Sequence, residues 1–567
     1  MIKIKAQLFK PSALLNFLVL GIIFFIPLAW SRYLNANYVS AKFFLFFLVS
    51  SLSLLVSFRK LIIPQLSKIL WVLIIGLFTL HLAAPLVSQN LTDYIYLFKF
   101  FGFCFFTYYF YTRQLTDLDA IFSRVTYIIL IVVGLILTFG LLDFYKFRIE
   151  ELNVQSGYLL GSFGNVNMMT EFLALTLPLL FRWVQFKDLV PKVIKYIFFV
   201  LWVFLIMYCR SRSSWIGLFL WALWQMYKGQ NRKEILLALA IAASGYWVAL
   251  NVSVGEKISF DVKSESFKQR MELYKSTGQL IADNPLGVGV SHFDSFLVPY
   301  QVSSKEVPPN EYLHYDQPHS EILRWTAQLG WLGSAFAIAF ILIVARLLLL
   351  KSWIDQAAPT KKNYLTESFL VLMPQVVFQF PYFNPASSMY LAFVFAMFLG
   401  LFAVRSEREL SWKWRAPIAA VACVGIIHAF LFVTSILFES IASEEYEKVA
   451  FACDYYPINQ NACFLKTYHL LKTQNFKAAR TEFTESFNNF KFHRGLMRLV
   501  PTYVKYTSGD VDSCASVQVY KSIFPEQKFF DAGVISACNG VKSPVAINTP
   551  DRFKSDYQSW LNKSFSK

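Results

Sequence analysis

Residues 322–350 read ILRWTAQLGWLGSAFAIAFILIVARLLLL. About 20 consecutive apolar residues are enough to cross the hydrocarbon core of a bilayer as an α-helix. This stretch exceeds that length, and it follows directly on a polar segment that contains His319 and Glu321. It predicts a membrane-spanning helix that begins at the foot of a hydrophilic loop.

Similar apolar runs fill the chain up to about residue 440, so we predict an all-α polytopic membrane protein with about 12–13 transmembrane helices. The composition agrees: 56% of the 567 residues are hydrophobic and 16% are charged, whereas soluble domains contain about 25% charged residues. The other predicted spans are Leu14–Trp30, Phe43–Val56, Ile69–Ala84, Tyr94–Tyr111, Val125–Leu142, Met168–Trp183, Val193–Cys209, Ser213–Met226, Ile235–Leu250, Phe369–Phe380, Met389–Val404 and Ile418–Phe438.

The net charge of +17 is a topology signal rather than a nucleic-acid signal. With a cytoplasmic N-terminus, most basic residues fall in the predicted inside segments, as the positive-inside rule requires. The first span is too long for a removable signal peptide and has no cleavage site after it, so we interpret it as a signal anchor. The short outside loops hold only Arg32, Lys42, Lys146, Arg148, Arg210 and Arg212.

One interspan segment, residues 252–318, is much longer than the others and is predicted to lie outside. It contains an amphipathic helix, Ser264–Asp283, which Asn284-Pro285 ends, because proline lacks a backbone donor and restricts its predecessor. We therefore divide the chain into a first set of spans (1–251), an outer loop (252–318), a second set of spans (319–438) and an outer helical tail (439–567).

Four cysteines lie in the tail. In an extracytoplasmic domain of this size, four cysteines predict two disulfides, and sequence leaves all three pairings open. Their spacing lacks paired CxxC units, which argues against zinc. The stretch Tyr468–Phe487 also resembles one helix-turn-helix unit of the tetratricopeptide type. The cysteines are Cys453, Cys463, Cys514 and Cys538.

Three arginines are candidates for binding an anion. Arg210 and Arg212 lie between two spans on the predicted outer side, against the positive-inside bias, and Arg270 lies on the loop helix. A guanidinium presents donors in a fixed fork that matches a phosphate. The alternative is that Arg210 and Arg212 snorkel to the interface and that Arg270 is a solvated surface charge.

Polar residues also mark the starts of two spans. His319, with Glu321 two residues later, is a candidate catalytic base, because an unperturbed histidine titrates near neutrality. The alternative is a structural histidine. Asn165 and Asn167 are candidates for binding sugar or phosphate, or alternatively helix N-caps. No set of His and carboxylate residues has the spacing of metal ligands, so we expect no metal and no cofactor.

Together these motifs resemble the bacterial O-antigen ligase superfamily. The resemblance rests on Ser211-Arg212-Ser-Ser-Trp215, on Arg270, on Asn284-Pro-Leu-Gly-Val-Gly289 with Phe293, and on His319-Ser-Glu321 followed by Gly330-Trp-Leu-Gly333. The superfamily includes O-antigen ligases, O-antigen polymerases and O-linked protein oligosaccharyltransferases that act on pilins. Two motifs depart from the common pattern: Ser320 replaces an asparagine, and Met168 replaces a histidine or glutamine.

The resemblance implies a glycosyltransferase of the GT-C type whose donor is a glycan on undecaprenyl pyrophosphate. The family's arginines correspond to Arg212 and Arg270, with Arg210 as a third candidate, and its loop histidine corresponds to His319. The acceptor is an exported protein, such as a pilin, or lipid A-core. The outer tail favours the protein.

Two other classes stay open at the sequence level. An O-antigen polymerase shares the same motifs. A polytopic transporter would place ionisable residues within the bilayer, and the candidates for that role are Lys99 and His81. A protein that binds lipid-linked glycan without activity is a further alternative.

Overall fold

The computed structural model is helical wherever it describes the chain, and no strand occurs in the described ranges. Those ranges are 20–29, 39–57, 68–88, 93–116, 118–144, 163, 165–185, 191–208, 211–229, 232–251, 260–290, 293, 296–297, 300, 317–350, 359–402, 411–490, 514, 517–518, 538, 540, 542, 556 and 559.

A helix covers most of each predicted span except the first, Leu14–Trp30, of which residues 14–19 and 30 lie outside the described ranges; its described part ends in a 3₁₀ helix, Ile26–Leu28. The helices are α1 (Val39–Ser57), α2 (Lys68–Ser88), α3 (Asp93–Thr116), α4 (Leu118–Phe144), α5 (Val166–Gln185), α6 (Lys192–Tyr208), α7 (Arg212–Tyr227), α8 (Arg232–Asn251), the loop helix α9 (Phe260–Asp283), α10 (Glu321–Leu350), α11 (Pro359–Phe378), α12 (Pro385–Phe402) and α13 (Trp412–Ile441). The tail contributes α14 (Tyr446–Tyr455), α15 (Gln460–Lys472) and α16 (Phe476–Phe490).

Within the described residues, three helices are long and apolar enough to cross a bilayer by length and composition: Ser40–Ser57, Glu321–Leu349 and Trp412–Ile441. Shorter apolar helices cover Leu70–Ala83, Arg124–Ile136 and Pro385–Leu401. Outward-facing side chains of the long helices are apolar, such as Leu342 at 62% exposure and Ile427 at 58%. A soluble protein would not expose such surfaces, and the prediction of an all-α polytopic membrane protein is confirmed.

The centre of the membrane body is an aromatic-rich core. α1 packs on α3 and α13, α12 packs on α3, and α11 packs on α5 and α7. Trp202 of α6 and Trp221 of α7 are fully buried there. The indole of Trp202 donates to the carbonyl of Leu173 at 2.7 Å, so its polar group is satisfied in the interior.

The largest difference between a predicted and an observed helix start occurs in α11. Phe369–Phe380 was predicted, but α11 begins at Pro359. Its first half contains Glu367, whose buried carboxylate forms an ion pair with Arg182 of α5. A carboxylate paired in this way is tolerated in the interior, and the hydropathy of the sequence alone does not reveal its partner.

The tail packs directly against the end of α13. Ser435 of α13 donates to the carbonyl of Ala452 at 3.1 Å, and the side chain of Asn459 donates to Ser435 at 2.9 Å. Asn459 also caps α15 by accepting from the Ala462 amide. The tail was predicted to be helical, and its described helices are α14, α15 and α16.

Two disulfides connect the tail. Cys453 of α14 bonds to Cys463 of α15, and Cys514 bonds to Cys538. The structure thus gives one of the three pairings that the sequence allowed.

We expect non-reducing peptide mass spectrometry of the isolated protein to yield both bridged pairs. Each bridge restricts the unfolded tail and stabilises it by about 2–4 kcal/mol. Reduction should therefore lower the unfolding midpoint of the tail. Four free tail thiols in protein prepared without reductant would contradict this expectation.

Candidate functional site

The candidate site is built around the start of α10. Ser320 is the N-cap residue of this helix: its hydroxyl accepts from the Leu323 amide at 3.4 Å, and its carbonyl accepts from the Arg324 amide at 3.0 Å. The preceding residue, His319, has a φ of 51°. A non-glycine residue in the left-handed region is strained, and such residues cluster at functional sites.

The loop helix α9 lies beside this strained residue. The hydroxyl of Tyr274 donates to the carbonyl of His319 at 3.4 Å. Leu273, Leu280 and Ile281 on the same helix are buried in a small core that includes Ala327 of α10. Apolar packing therefore holds α9 against α10, and Tyr274 contacts the turn that carries His319.

A glycine-rich turn fixes the end of α9 to a kink in α10. Gly330 interrupts α10 with φ 68° and ψ −173°. The turn that follows Asn284 docks there through the Val288 and Gly289 amides, which donate to the carbonyls of Ala327 and Gln328 at 2.9 and 3.0 Å. In return, the Trp331 amide donates to the carbonyl of Pro285 at 3.0 Å. The motif Asn284-Pro-Leu-Gly-Val-Gly289 therefore forms a turn that binds the kink of α10 and sets the position of α9.

We expect Gly287→Ala and Gly330→Ala to undock this turn. Both glycines have positive φ, and a Cβ at Gly287 would lie 2.5 Å from the Gln328 carbonyl oxygen. A Cβ at Gly330 would lie 2.4 Å from the Leu286 carbonyl carbon. Strain of this kind costs about 1–3 kcal/mol, so the melting temperature and the activity should both fall.

The matched control for these variants is Gly278→Ala, because Gly278 lies on α9, which the turn follows, with nothing within 4 Å of the added Cβ. Alanine there should be neutral or slightly stabilising. Equal behaviour of Gly278→Ala and Gly330→Ala would refute the docking role.

The electrostatic environment of His319 differs from the prediction. Burial of the ring lowers its pKa to about 4, and the positive charge of Arg270 adds to the effect. The expectation of a pKa near neutrality is therefore wrong for the protein without ligand. The imidazole is neutral throughout the physiological range, which is the form that accepts a proton.

The candidate arginines lie at the start of α7 and on α9. Arg270 is half-buried, and its charge acts on His319. Arg212 is exposed as the first residue of α7. Next to it, Ser213 donates to the side chain of Gln375 of α11 at 3.0 Å. Arg210 lies outside the described residues.

The turn between α11 and α12, residues 379–384, contacts the start of α10. The sequence predicted no role for this turn. The Glu321 amide donates to the Gln379 carbonyl at 3.1 Å. One carboxylate oxygen of Glu321, Oε1, accepts from the Tyr382 and Phe383 amides at 3.0 and 3.1 Å. The only sequence signal was a short polar interval between two predicted spans.

Asn165 behaves as a helix cap. Its side-chain oxygen accepts from the Asn167 amide at 2.8 Å and from the Met168 amide at 3.4 Å, which is the capping alternative predicted above. The Asn167 side chain is half-buried. One turn later, the buried carboxylate of Glu171 accepts from the side chains of Asn384 and Ser387. The start of α5 is therefore bonded to the same turn.

The two ionisable residues considered for a transporter have different surroundings. Lys99 of α3 is buried, and its ammonium donates to the Phe383 carbonyl. His81 donates from Nδ1 to the Leu77 carbonyl at 2.8 Å and stacks on Phe100. His81 thus has a structural role, whereas Lys99 belongs to the candidate site.

In the part of the chain that the structure describes, one group of side chains has the proximity of metal ligands: Cys453, Cys463 and Glu482. The two sulfurs form a disulfide with each other. This group therefore provides no metal centre.

Residues 197–338 match the protein family described as O-Antigen ligase. The match confirms the resemblance to the O-antigen ligase superfamily, which is a family of membrane glycosyltransferases of the ligase and polymerase type. The matched segment includes α7, the loop helix α9, the turn that follows α9 and His319. The turn at 379–384 and the residues Lys99 and Glu171 lie outside it. No curated protein matches the chain.

Proposed function

We propose that this protein transfers a glycan from undecaprenyl pyrophosphate to an acceptor hydroxyl at the outer face of the bacterial inner membrane. The observation that carries the proposal is a neutral, strained His319 whose pKa is lowered by burial and by the charge of Arg270, both within the family-matched segment. A base within the electrostatic influence of a fixed positive charge suits a reaction that removes a proton and releases an anion.

In the proposed reaction, the acceptor oxygen attacks the anomeric carbon of the donor sugar. The bond between this carbon and the diphosphate oxygen breaks, and the electron pair leaves with the undecaprenyl pyrophosphate. His319 takes the proton of the acceptor hydroxyl. Arg270 and Arg212, with Arg210 as a third candidate, stabilise the negative charge that grows on the leaving group.

The same arginines make the proposed reaction independent of a divalent metal. Guanidinium groups bind a diphosphate by bidentate hydrogen bonds and neutralise its charge. Asn165 is occupied as a helix cap, so of the asparagine pair we propose Asn167 for contact with the sugar.

For the acceptor we propose a serine or threonine of an exported protein, since the tail adds a disulfide-bonded helical domain at the end of α13. Lipid A-core and a growing O-antigen chain are the alternatives. We also propose that the N-terminus is cytoplasmic and that the tail is periplasmic, from the distribution of basic residues and the tail disulfides.

The test is transfer by the purified full-length protein in proteoliposomes. The donor is a polyprenyl-diphosphate-linked glycan, and separate reactions contain a pilin-like protein, lipid A-core or donor alone. Transfer to the protein in the presence of EDTA supports the full proposal. Transfer only to lipid A-core, or polymerisation of the donor, reassigns the acceptor, and no transfer in any reaction refutes the function.

A further inference from the structure

The turn at residues 379–384 is bonded to three helices, α10, α5 and α3. Glu321 of α10 holds it through backbone groups. Glu171 of α5 bonds to Asn384, and Lys99 of α3 bonds to Phe383. All three side chains are at least nine-tenths buried. Buried ionisable groups in a membrane protein are costly unless they pair with other groups, so this arrangement indicates a dedicated purpose.

The carboxylate of Glu321 is directed to the backbone of this turn. It is fully buried, and Oε1 accepts two backbone amides. Its other oxygen, Oε2, lies 4.0 Å from the guanidinium of Arg324, which is too far for a hydrogen bond. The hydrogen bonds of the carboxylate are therefore made by Oε1 to the backbone of the turn, which is the arrangement of a structural anchor.

Phe383 is held at both of its peptide groups by opposite charges. Its N–H donates to the carboxylate of Glu321, and its carbonyl accepts from the ammonium of Lys99. The Lys99 ammonium also lies 3.9 Å from the centre of the Phe383 ring, and the Arg324 guanidinium lies 4.8 Å from it. Charge-assisted hydrogen bonds are stronger than hydrogen bonds between neutral groups. Cation–π contacts are stronger when the groups are desolvated.

The turn at residues 379–384 also packs against His319. The ring of Phe380 lies 5.5 Å from the imidazole, and Phe380 packs against Phe383 at 6.0 Å between ring centres. The Gln379 carbonyl also binds the amide of Glu321, two residues after His319. A strained backbone persists only where its surroundings over-determine it, and the turn supplies part of those surroundings in addition to Tyr274.

We propose that Glu321 is a positioning residue, which fixes the turn at residues 379–384 and thereby holds the His319 imidazole in place for proton transfer. This revises the hypothesis that Glu321 is itself catalytic, and it rests on the proposed function. Lys99 acts with Glu321 at the other end of Phe383.

The central experiment compares Glu321→Gln with Glu321→Ala in the full-length protein. Glutamine keeps one oxygen that accepts both amides, whereas alanine removes the anchor. A misplacement of about 1 Å costs about 10²-fold in rate, so kcat of Glu321→Ala should fall about 100-fold while KM for the donor changes little. Glu321→Gln should keep kcat within about tenfold of wild type, with an unchanged pH profile.

A Glu321→Gln protein that inserts normally but is as inactive as Glu321→Ala, or that loses a limb of its pH profile, overturns the proposal in favour of direct proton transfer. Full activity of Glu321→Ala overturns it as well. Where a Glu321 variant does not fold, Lys99→Gln tests the same anchor from the other side. It should lower kcat without altering the pH profile, and wild-type turnover would contradict the proposal.

The matched control is Glu367→Gln. Glu367 is another buried carboxylate in an ion pair, and it lies in the first half of α11, whereas the turn at residues 379–384 follows the end of that helix. This variant should lower the melting temperature without lowering kcat per folded molecule. A loss of kcat equal to that of Glu321→Ala would mean that any buried charge has this effect.

Hydrogen exchange tests the anchoring role of Glu321 independently of the proposed glycan transfer. The Tyr382 amide should exchange faster in Glu321→Ala than in wild type, and at the wild-type rate in Glu321→Gln, whether or not a transfer reaction is found. The Phe383 amide also donates to the Phe380 carbonyl at 2.9 Å, so the Tyr382 amide is the readout. Unchanged exchange in Glu321→Ala refutes the anchor, whereas absence of transfer by wild type refutes only the proposed function.

Discussion

Replacing His319 with alanine is expected to lower the rate of glycan transfer by about 10²–10⁴-fold, the usual contribution of a general base. The imidazole is neutral, and the backbone of His319 has a left-handed conformation. Alanine removes the proton acceptor but leaves the packing of α9 on α10 intact. Expression and insertion should therefore be unchanged, and the measurement is single-turnover transfer in proteoliposomes.

His319→Gln is the control for a structural role, because glutamine preserves a hydrogen bond but cannot take the proton. It should be as inactive as His319→Ala. An active glutamine variant would remove His319 from the chemistry and leave the arginines as the main catalytic groups.

The pH dependence gives a second readout of the same residue. In the protein without ligand, burial and Arg270 hold the pKa of His319 at about 4, so the limb of kcat/KM that it causes should lie on the acid side. A bound diphosphate compensates the charge of Arg270 and favours the protonated imidazole, which raises the pKa. The acid limb of kcat should therefore lie at higher pH than that of kcat/KM, and both limbs should disappear in His319→Ala.

The sequence predicted the fold well because span length and apolar content are local properties. The loop helix was predicted to end at Asp283, and α9 ends there, since the stop signal Asn284-Pro285 is also local. The bounds of α11 were missed because the partner of Glu367 is Arg182, which is distant in the sequence.

The candidate site was predicted less completely. Single residues such as His319 and Arg270 were predicted from short motifs, and their roles stay predictions. The turn at residues 379–384 was missed because its role arises from long-range pairs, such as Glu321 with Phe383. The pKa of His319 was predicted wrongly for a related reason: its cause is burial by α9 and by Phe380, which no local pattern encodes.

We expect Arg270→Lys and Arg212→Lys each to lower transfer strongly, by about 10²–10³-fold, the usual cost of removing one oxyanion donor. Lysine keeps the positive charge but lacks the planar fork that binds a diphosphate bidentately. The loss should appear in kcat, because the charge on the leaving group grows as its bond to the sugar breaks. Release of undecaprenyl pyrophosphate measures it directly.

Lys275→Ala is the matched control on the same helix, since Lys275 is exposed and pairs with Glu272 one turn away. Its removal takes away a full charge, which is more than Arg270→Lys does, yet it should leave kcat within about twofold because exposed ion pairs contribute little. A similar loss in Lys275→Ala and Arg270→Lys would show that α9 acts through its overall charge. Wild-type turnover in both lysine variants would instead mean that Arg212 is an interface anchor and Arg270 a surface charge. If only Arg270→Lys is impaired, the diphosphate is bound from the α9 side alone, next to the base, and Arg212 has no part in stabilising the leaving group.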